Sequence, residues 1–269
     1  MTRIELVVSD VDGTLLTSDK ILTDGAVRAA RRLEDSGVGL TLTSSRPAIG
    51  MRFLIAPLHI RLPVGPFNGS SICDPQMNPI EQHLLPAAAA QQSLDILHRF
   101  GVDIWLFTHD RWLARSGEGK YVELERRTIR ADPTIVEDFA PYVSAACKIV
   151  GSSPDAARLQ ACEVATRDAL GTQATAARSQ TYYLDVTPPG HDKGTFVQAI
   201  ATRLGISTDA VATIGDMHND VAMFRASGMS IAMGNATDEI KRQATRVTAS
   251  NAEEGFAGAI EMILQYNAG

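Results

Sequence analysis

An apolar, β-rich run at residues 4–9 (IELVVS) stops abruptly on an aspartate, Asp10. The same device recurs far along the chain, where residues 210–214 (AVATI) run into Gly215 and Asp216. Helical patterns separate such runs. Residues 23–35 place Ala26, Ala30 and Leu33 on one face, with Gly37 as a stop. A second strand-like run, residues 38–43, ends on Ser44 and Ser45, and Pro47 and Ala48 suit the start of another helix. Strand, helix, strand, helix within about 60 residues is the pattern of a parallel sheet with crossovers. The later part of the chain repeats it. Residues 193–204 read as a helix stopped by Gly205, 220–226 as a helix and 230–233 (SIAM) as a strand. A further helix starts at Thr237, and another covers about 253–266.

The middle has a different grammar. Residues 87–99 form an Ala-rich helix, 102–116 a hairpin around His109 and Asp110, and 146–152 a strand. Residues 154–170 read as a helix and 174–187 as a hairpin-like pair. Antiparallel strands mixed with helices point to α+β. The expected architecture is therefore α/β: a Rossmann-like parallel-sheet core from residues 1–82 and 188–269, with an α+β domain inserted over 83–187.

Composition excludes several classes. The chain has 31 Asp and Glu against 25 Lys and Arg, a net charge of −6. This is ordinary globular composition, not that of a disordered or collagen-like chain or a disulfide miniprotein. The acidic excess argues against nucleic-acid binding on a basic surface. The first apolar run is too short for a signal-peptide core, and no run of 18 apolar residues suggests a membrane span. Cys73, Cys147 and Cys162 are odd in number and match no zinc or redox spacing, as expected of reduced thiols in a cytoplasmic protein.

In open α/β sheets the site lies beyond the carboxyl ends of the strands. Four such ends deliver polar residues: Asp10 and Asp12, Ser44 with Arg46, Asn68, and Asp216 with Asn219 and Asp220. A single strand-end aspartate is usually a cap or turn former. Carboxylates from distant parts of the chain meeting at one sheet edge would repel each other, and a divalent cation resolves that. Oxygen-only ligands favour Mg²⁺ over Zn²⁺. Asp10 can attack a phosphoryl group, and Asp12 can serve as general acid and later as base. Gly13 permits the bend between strand and turn. Ser44 can donate to a phosphoryl oxygen, and Lys193 can offset charge on phosphate and nucleophile. Asp216 can hold the metal directly, with Asn219 and Asp220 behind it through water.

DVDGTLL at 10–16, SSR at 44–46, FNGSSI at 67–72, HDKG at 191–194, GDMHND at 215–220 and AMGNA at 232–236 occur in this order. Together they resemble the haloacid dehalogenase superfamily, and within it the Cof-type hydrolases, whose larger cap lies between the second and third motifs. The resemblance spans essentially the whole chain. It implies Asp10 as nucleophile and Asp12 as general acid/base, with Mg²⁺ on Asp10, the Asp12 backbone carbonyl and Asp216. It implies Ser44 and Lys193 on the phosphoryl group, and Asn219 and Asp220 around the metal. Arg46 and Asn68 would frame substrate or phosphate, and Asn235 would lie near the site. Ser45 stands where the family usually has glycine, which bears on the local backbone rather than the chemistry.

The expected activity is a Mg²⁺-dependent phosphatase acting on a small phosphorylated metabolite such as a sugar phosphate, in a monomer or homodimer without nucleic-acid or membrane partners. A phosphomutase of the same superfamily and a non-enzymatic phosphoaspartate-accepting module remain alternatives. Asp12 argues against the latter, which needs no acid/base beside its acceptor. Other features have ordinary readings. His191 and His218 read as loop histidines, and Met217, Met223, Met229 and Met233 as core. Trp105 and Trp112 read as half-buried sheet residues, and Glu123, Glu125, Arg126, Arg127 and Arg130 as a solvated face.

Overall fold

The computed structural model describes residues 2–269 and contains two units. One comprises the chain up to Ser45, Arg52–Ile80 and His191–Gly269; the other comprises Arg46–Met51 and Glu81–Gly190. The strands begin with β1 (Leu6–Ser9), β2 (Gly39–Leu42), β3 (Ser71–Cys73) and β4 (Pro79–Gln82). Then come β5 (Asp103–Phe107), β6 (Trp112–Ala114), β7 (Thr134–Ile135), β8 (Lys148–Ser152), β9 (Thr175–Gln180) and β10 (Tyr183–Thr187). The series closes with β11 (Val211–Gly215), β12 (Met229–Ala232) and β13 (Arg246–Val247). The helices are α1 (Asp24–Asp35), α2 (Arg52–Ile55), α3 (Ala87–Arg99), α4 (Val122–Ile129) and α5 (Ala156–Leu170). They continue with α6 (Lys193–Leu204), α7 (Val221–Arg225), α8 (Asp238–Lys241) and α9 (Gly255–Ala268).

In the first unit the sheet order is β13-β12-β11-β1-β2, every pair parallel. All four residues of β1 are buried, as expected for a strand covered on both faces. Leu6 and Val8 pack with Phe196, Val197 and Ile200 of α6 and with Met223 and Phe224 of α7. The helix starts are chemically marked. Thr23 accepts the Ala26 N–H at 3.0 Å ahead of α1, and Asp192 accepts the Thr195 N–H at 2.8 Å ahead of α6. Thr195 Oγ1 accepts the Asp192 N–H in return, completing a capping box that fixes Lys193 in the first turn.

In the second unit the order is β7-β6-β5-β8-β10-β9, antiparallel except for β6–β7. The alternation of the strands divides its two faces. Leu106, Leu113, Ile149, Leu184 and Val186 share a core with residues of α3 and α5. Trp105, Phe107, Trp112, Lys148 and Asp185 occupy the other face, where β5, β6, β8 and β10 are in register. The architecture is α/β: a parallel-sheet unit with an additional α+β unit.

Several local expectations need correction. Trp105 and Trp112 are only 2% and 1% exposed, not half-buried. Their rings meet edge to face at 5.2 Å, and Trp105 also meets Tyr183 at 5.3 Å. The charged run at 123–130 is not uniformly solvated. Helix α4 buries Glu125 with Val122 and Ile129, while Glu123 stays outside and pairs with Arg126 and Arg127. Met217 is 44% exposed because its backbone, not its side chain, is needed inside: its N–H donates to Asp220. Pro47 opens only a 3₁₀ turn, Ala48–Gly50, before the short α2. Among the described residues no helix is long and apolar enough to cross a membrane.

Candidate active site

Three adjacent strands end together. Ser9 of β1 pairs with Leu42 of β2 and with Ile214 of β11, so the residues that follow emerge at one edge. Asp10 leaves β1 with its N–H donated to the Ile214 carbonyl at 2.9 Å. Thr43 donates to Ser9 O at 2.9 Å, and buried Ser44 donates its N–H to Gly65 O at 3.0 Å. Asp216 follows Gly215 at the end of β11.

These strand ends place buried carboxylates around one buried ammonium. Lys193 Nζ lies 2.5 Å from Asp10 Oδ1 and 2.6 Å from Asp220 Oδ1. Asp220 Oδ2 accepts the N–H groups of Asp216 and Met217 at 2.8 and 2.9 Å. Asp216 Oδ1 accepts from Thr14 Oγ1 at 3.1 Å, and its Oδ2 accepts from Asn235 Nδ2 at 3.1 Å. Asn235 Nδ2 also reaches Gly13 O at 2.9 Å, tying two loops together. Gly13 is obligatory: its φ is +81°, and a Cβ there would stand 2.3 Å from Asp216 Oδ2.

Burial and mutual repulsion set the protonation of this group. Asp10 is driven well above the usual carboxylate range by burial; Lys193 pulls it down, and Asp220 and Asp216 push it up. Asp216 rises to about 7, first through burial and then through Asp220, with Lys193 opposing. Burial disfavours the Lys193 ammonium, but Asp10 and Asp220 outweigh it and raise its pKa.

Oxygen atoms of Asp10, Asp216 and Asp220 lie within 4.8 Å of one another. Three carboxylates against one ammonium leave two negative charges in excess, so the cluster favours added protons or a cation. An all-oxygen donor set with this excess charge fits a hard divalent cation.

The sequence profile of the haloacid dehalogenase-like hydrolases matches residues 7–260. The chain belongs to this family. Its motifs and neighbours make it a haloacid dehalogenase-like hydrolase of the Cof type and, by class, a phosphoric monoester hydrolase. It is 27% identical over 266 residues to the 5-amino-6-(5-phospho-D-ribitylamino)uracil phosphatase YcsE of Bacillus subtilis, covering 96% of this chain and 94% of that one. It is 24% identical over 262 residues to the pyridoxal phosphate phosphatase YbhA of Escherichia coli, covering 94% and 96%. A solved haloacid dehalogenase-like hydrolase from Bacteroides thetaiotaomicron superposes with a TM-score of 0.90 at 26% identity, over 97% of this chain and all of that one.

In this haloacid dehalogenase-like hydrolase the remaining candidates sit in distinct places. Asn68, in a left-handed conformation (φ 58°), donates its N–H to Ser44 O at 2.7 Å. Its Oδ1 accepts from Asn219 Nδ2 at 3.1 Å, so these two amides hold each other. Asp12 is outside the triad of carboxylates and pairs with Lys20 at 2.7 Å. Arg46 is 3% exposed; its guanidinium donates to the backbone carbonyls of Gly50, at 3.0 Å, and Thr128. Two contributors escaped sequence reasoning. Thr14 lies inside the DVDGT motif, whose threonine was the available signal; Lys20 carried none, because its role depends on a turn.

Proposed function

We propose that the chain is a Mg²⁺-dependent phosphatase that hydrolyses a small phosphorylated metabolite, a sugar or polyol phosphate, through an aspartyl-phosphate on Asp10. The observation that carries this reading is Asp10 itself: a buried carboxylate at a strand end, held 2.5 Å from Lys193 and grouped with Asp216 and Asp220. Phosphoryl transfer demands positioning and charge neutralisation more than covalent assistance. Asp10 and Asp216 would hold Mg²⁺ together with the Asp12 carbonyl, with Asp220 and Asn219 outside them. When bound, the ion neutralises phosphoryl charge and orients the group. An Asp10 carboxylate oxygen attacks phosphorus while Asp12 protonates the departing alcohol oxygen. Asp12 then takes a proton from water as that water displaces the phosphoryl group from Asp10. Lys193 and the Ser44 hydroxyl hold the phosphoryl oxygens.

The relatives support the substrate class, since the B. subtilis and E. coli proteins bear the names of phosphatases of small phosphorylated metabolites. A panel of phosphate esters with Mg²⁺ tests the proposal. Release of inorganic phosphate from sugar or polyol phosphates is expected. Failure to release phosphate from every ester, p-nitrophenyl phosphate included, would overturn it.

A further inference from the structure

We propose that Lys20 is a positioning residue for the acid/base Asp12; this rests on the acid/base reading of Asp12 given above. The two site carboxylates that follow β1 have different lysines. Buried Lys193 serves Asp10, whereas Lys20 Nζ, at about one-third side-chain exposure, lies 2.7 Å from Asp12 Oδ1. Lys20 belongs to the same short excursion of chain as Asp12, and that excursion is closely built. Leu15 and Leu16 are buried, and both donate their N–H to Val11 O, at 3.0 and 2.9 Å. Bridges join Asp12 to Leu16 and Leu16 to Leu22, and Asn251 Nδ2 donates to Leu16 O at 2.9 Å. At the tip, Lys20 donates its N–H to Thr17 O at 2.9 Å, Thr17 donates to Ile21 O at 3.1 Å, and Ile21 donates to Thr17 Oγ1 at 3.2 Å.

The tip also carries strain. Lys20 has φ 61°, a left-handed conformation that an ordinary L-residue adopts at a cost and that glycine or asparagine would accept more readily. Such strain persists where the surroundings over-determine it, often beside functional groups. Here the left-handed residue is the one whose ammonium meets Asp12.

The chemistry of the pair assigns its two carboxyl oxygens. An ammonium only donates and repels further positive charge beside it, so a proton is better placed on the carboxyl oxygen it does not face. Lys20 therefore fixes Oδ1 and the rotation of the carboxyl group, and the transferred proton travels on Oδ2. In the first step the Asp12 Oδ2–H bond breaks as a new O–H bond forms on the leaving oxygen and the P–O ester bond breaks. In the second, Oδ2 takes the proton of the attacking water. Without Lys20 the carboxyl loses this anchor at Oδ1, and protonation of the leaving group suffers first.

The test is leaving-group dependence. For hydrolysis through an aspartyl-phosphate, kcat/KM reports steps up to departure of the alcohol. It is measured for phenyl phosphate, whose phenol leaves poorly, and p-nitrophenyl phosphate, whose phenol leaves well, in the wild type and in K20M, K20G, K20R and D12N. K20M should lose about tenfold more on phenyl phosphate than on p-nitrophenyl phosphate, within the range of general-acid effects. K20G should behave alike while relieving the left-handed strain, so a folding defect in K20M does not blur the result. K20R should restore most of the difference. Equal loss on both esters, or none, in K20M and K20G overturns the proposal. D12N serves as the control: a steeper leaving-group dependence supports the acid role of Asp12 itself, and its absence overturns that reading and the proposal with it.

Discussion

At the scale of single residues, the site is a problem of excess negative charge. Asp10→Asn should abolish turnover while leaving the thermal transition in place, checked by phosphate release and calorimetry; retained activity removes Asp10 as nucleophile. Lys193→Met should cost more than activity. It strands two carboxylates, each 2.6 Å or less from the ammonium that was offsetting them, in a buried space. Breaking such a pair costs about 3 kcal/mol or more, visible in urea unfolding. Asn235→Ala should leave the fold intact and weaken Mg²⁺ binding by roughly 10-fold or more, because it releases Asp216 from its second partner. Titration calorimetry with Mg²⁺ measures this directly. Residues of this kind were legible because the site draws on compact motifs: Asp10, Asp12 and Gly13 are near neighbours in sequence. Lys20 was not, because a lysine in a loop looks the same whether or not a left-handed turn delivers it to a carboxylate.

At the scale of elements, strand ends and helix starts do the positioning. The parallel strands were readable from their apolar runs, and the polar residue after each run was readable as a site residue, because a strand covered on both faces must end before its polar cargo begins. Burial within the second unit was less readable. The alternation in β5 and β6 shows two faces but not what covers each, so Trp105 and Trp112 looked half-buried until Tyr183 and their own edge-to-face contact were in place. Glu125 followed the same pattern, since helical spacing puts it with Val122 and Ile129 only once α4 has a partner. Helix α6 offers a direct test. Asp192→Ala removes a cap and should destabilise the protein by about 1 kcal/mol. It should also reduce kcat, because the capping box holds Lys193 in the first turn; Asp192→Asn should retain most of both.

At the scale of the whole molecule, protons and the proposed Mg²⁺ would compete for the same carboxylates. The folded state raises the pKa of Asp216 from 3.8 to about 7. A carboxyl group whose pKa is raised on folding stabilises the metal-free protein below its unfolded pKa. That contribution is lost as pH climbs through the folded value. Metal-free protein should therefore lose melting temperature between about pH 4 and pH 7 from this group. Added Mg²⁺ should raise the melting temperature more at pH 8 than at pH 5.5, because binding must displace protons at the lower pH. A Mg²⁺ effect independent of pH would contradict the assignment of Asp216 to the ion.

The strand that leads into Asp10, the proposed nucleophile, lies between β2, made soon after it, and β11, made long after it. During synthesis on the ribosome, then, one edge of β1 waits unpaired through the whole of the second unit, a hazard that other proteins manage on their exposed edges. Asp10, the proposed nucleophile, is translated before the second unit, whereas Asp216 and Lys193, which lie beside it in the folded chain, follow that unit. Hydrolytic competence should thus appear in truncated nascent chains only once β11 has cleared the exit tunnel, as a sharp threshold in chain length rather than a gradual rise.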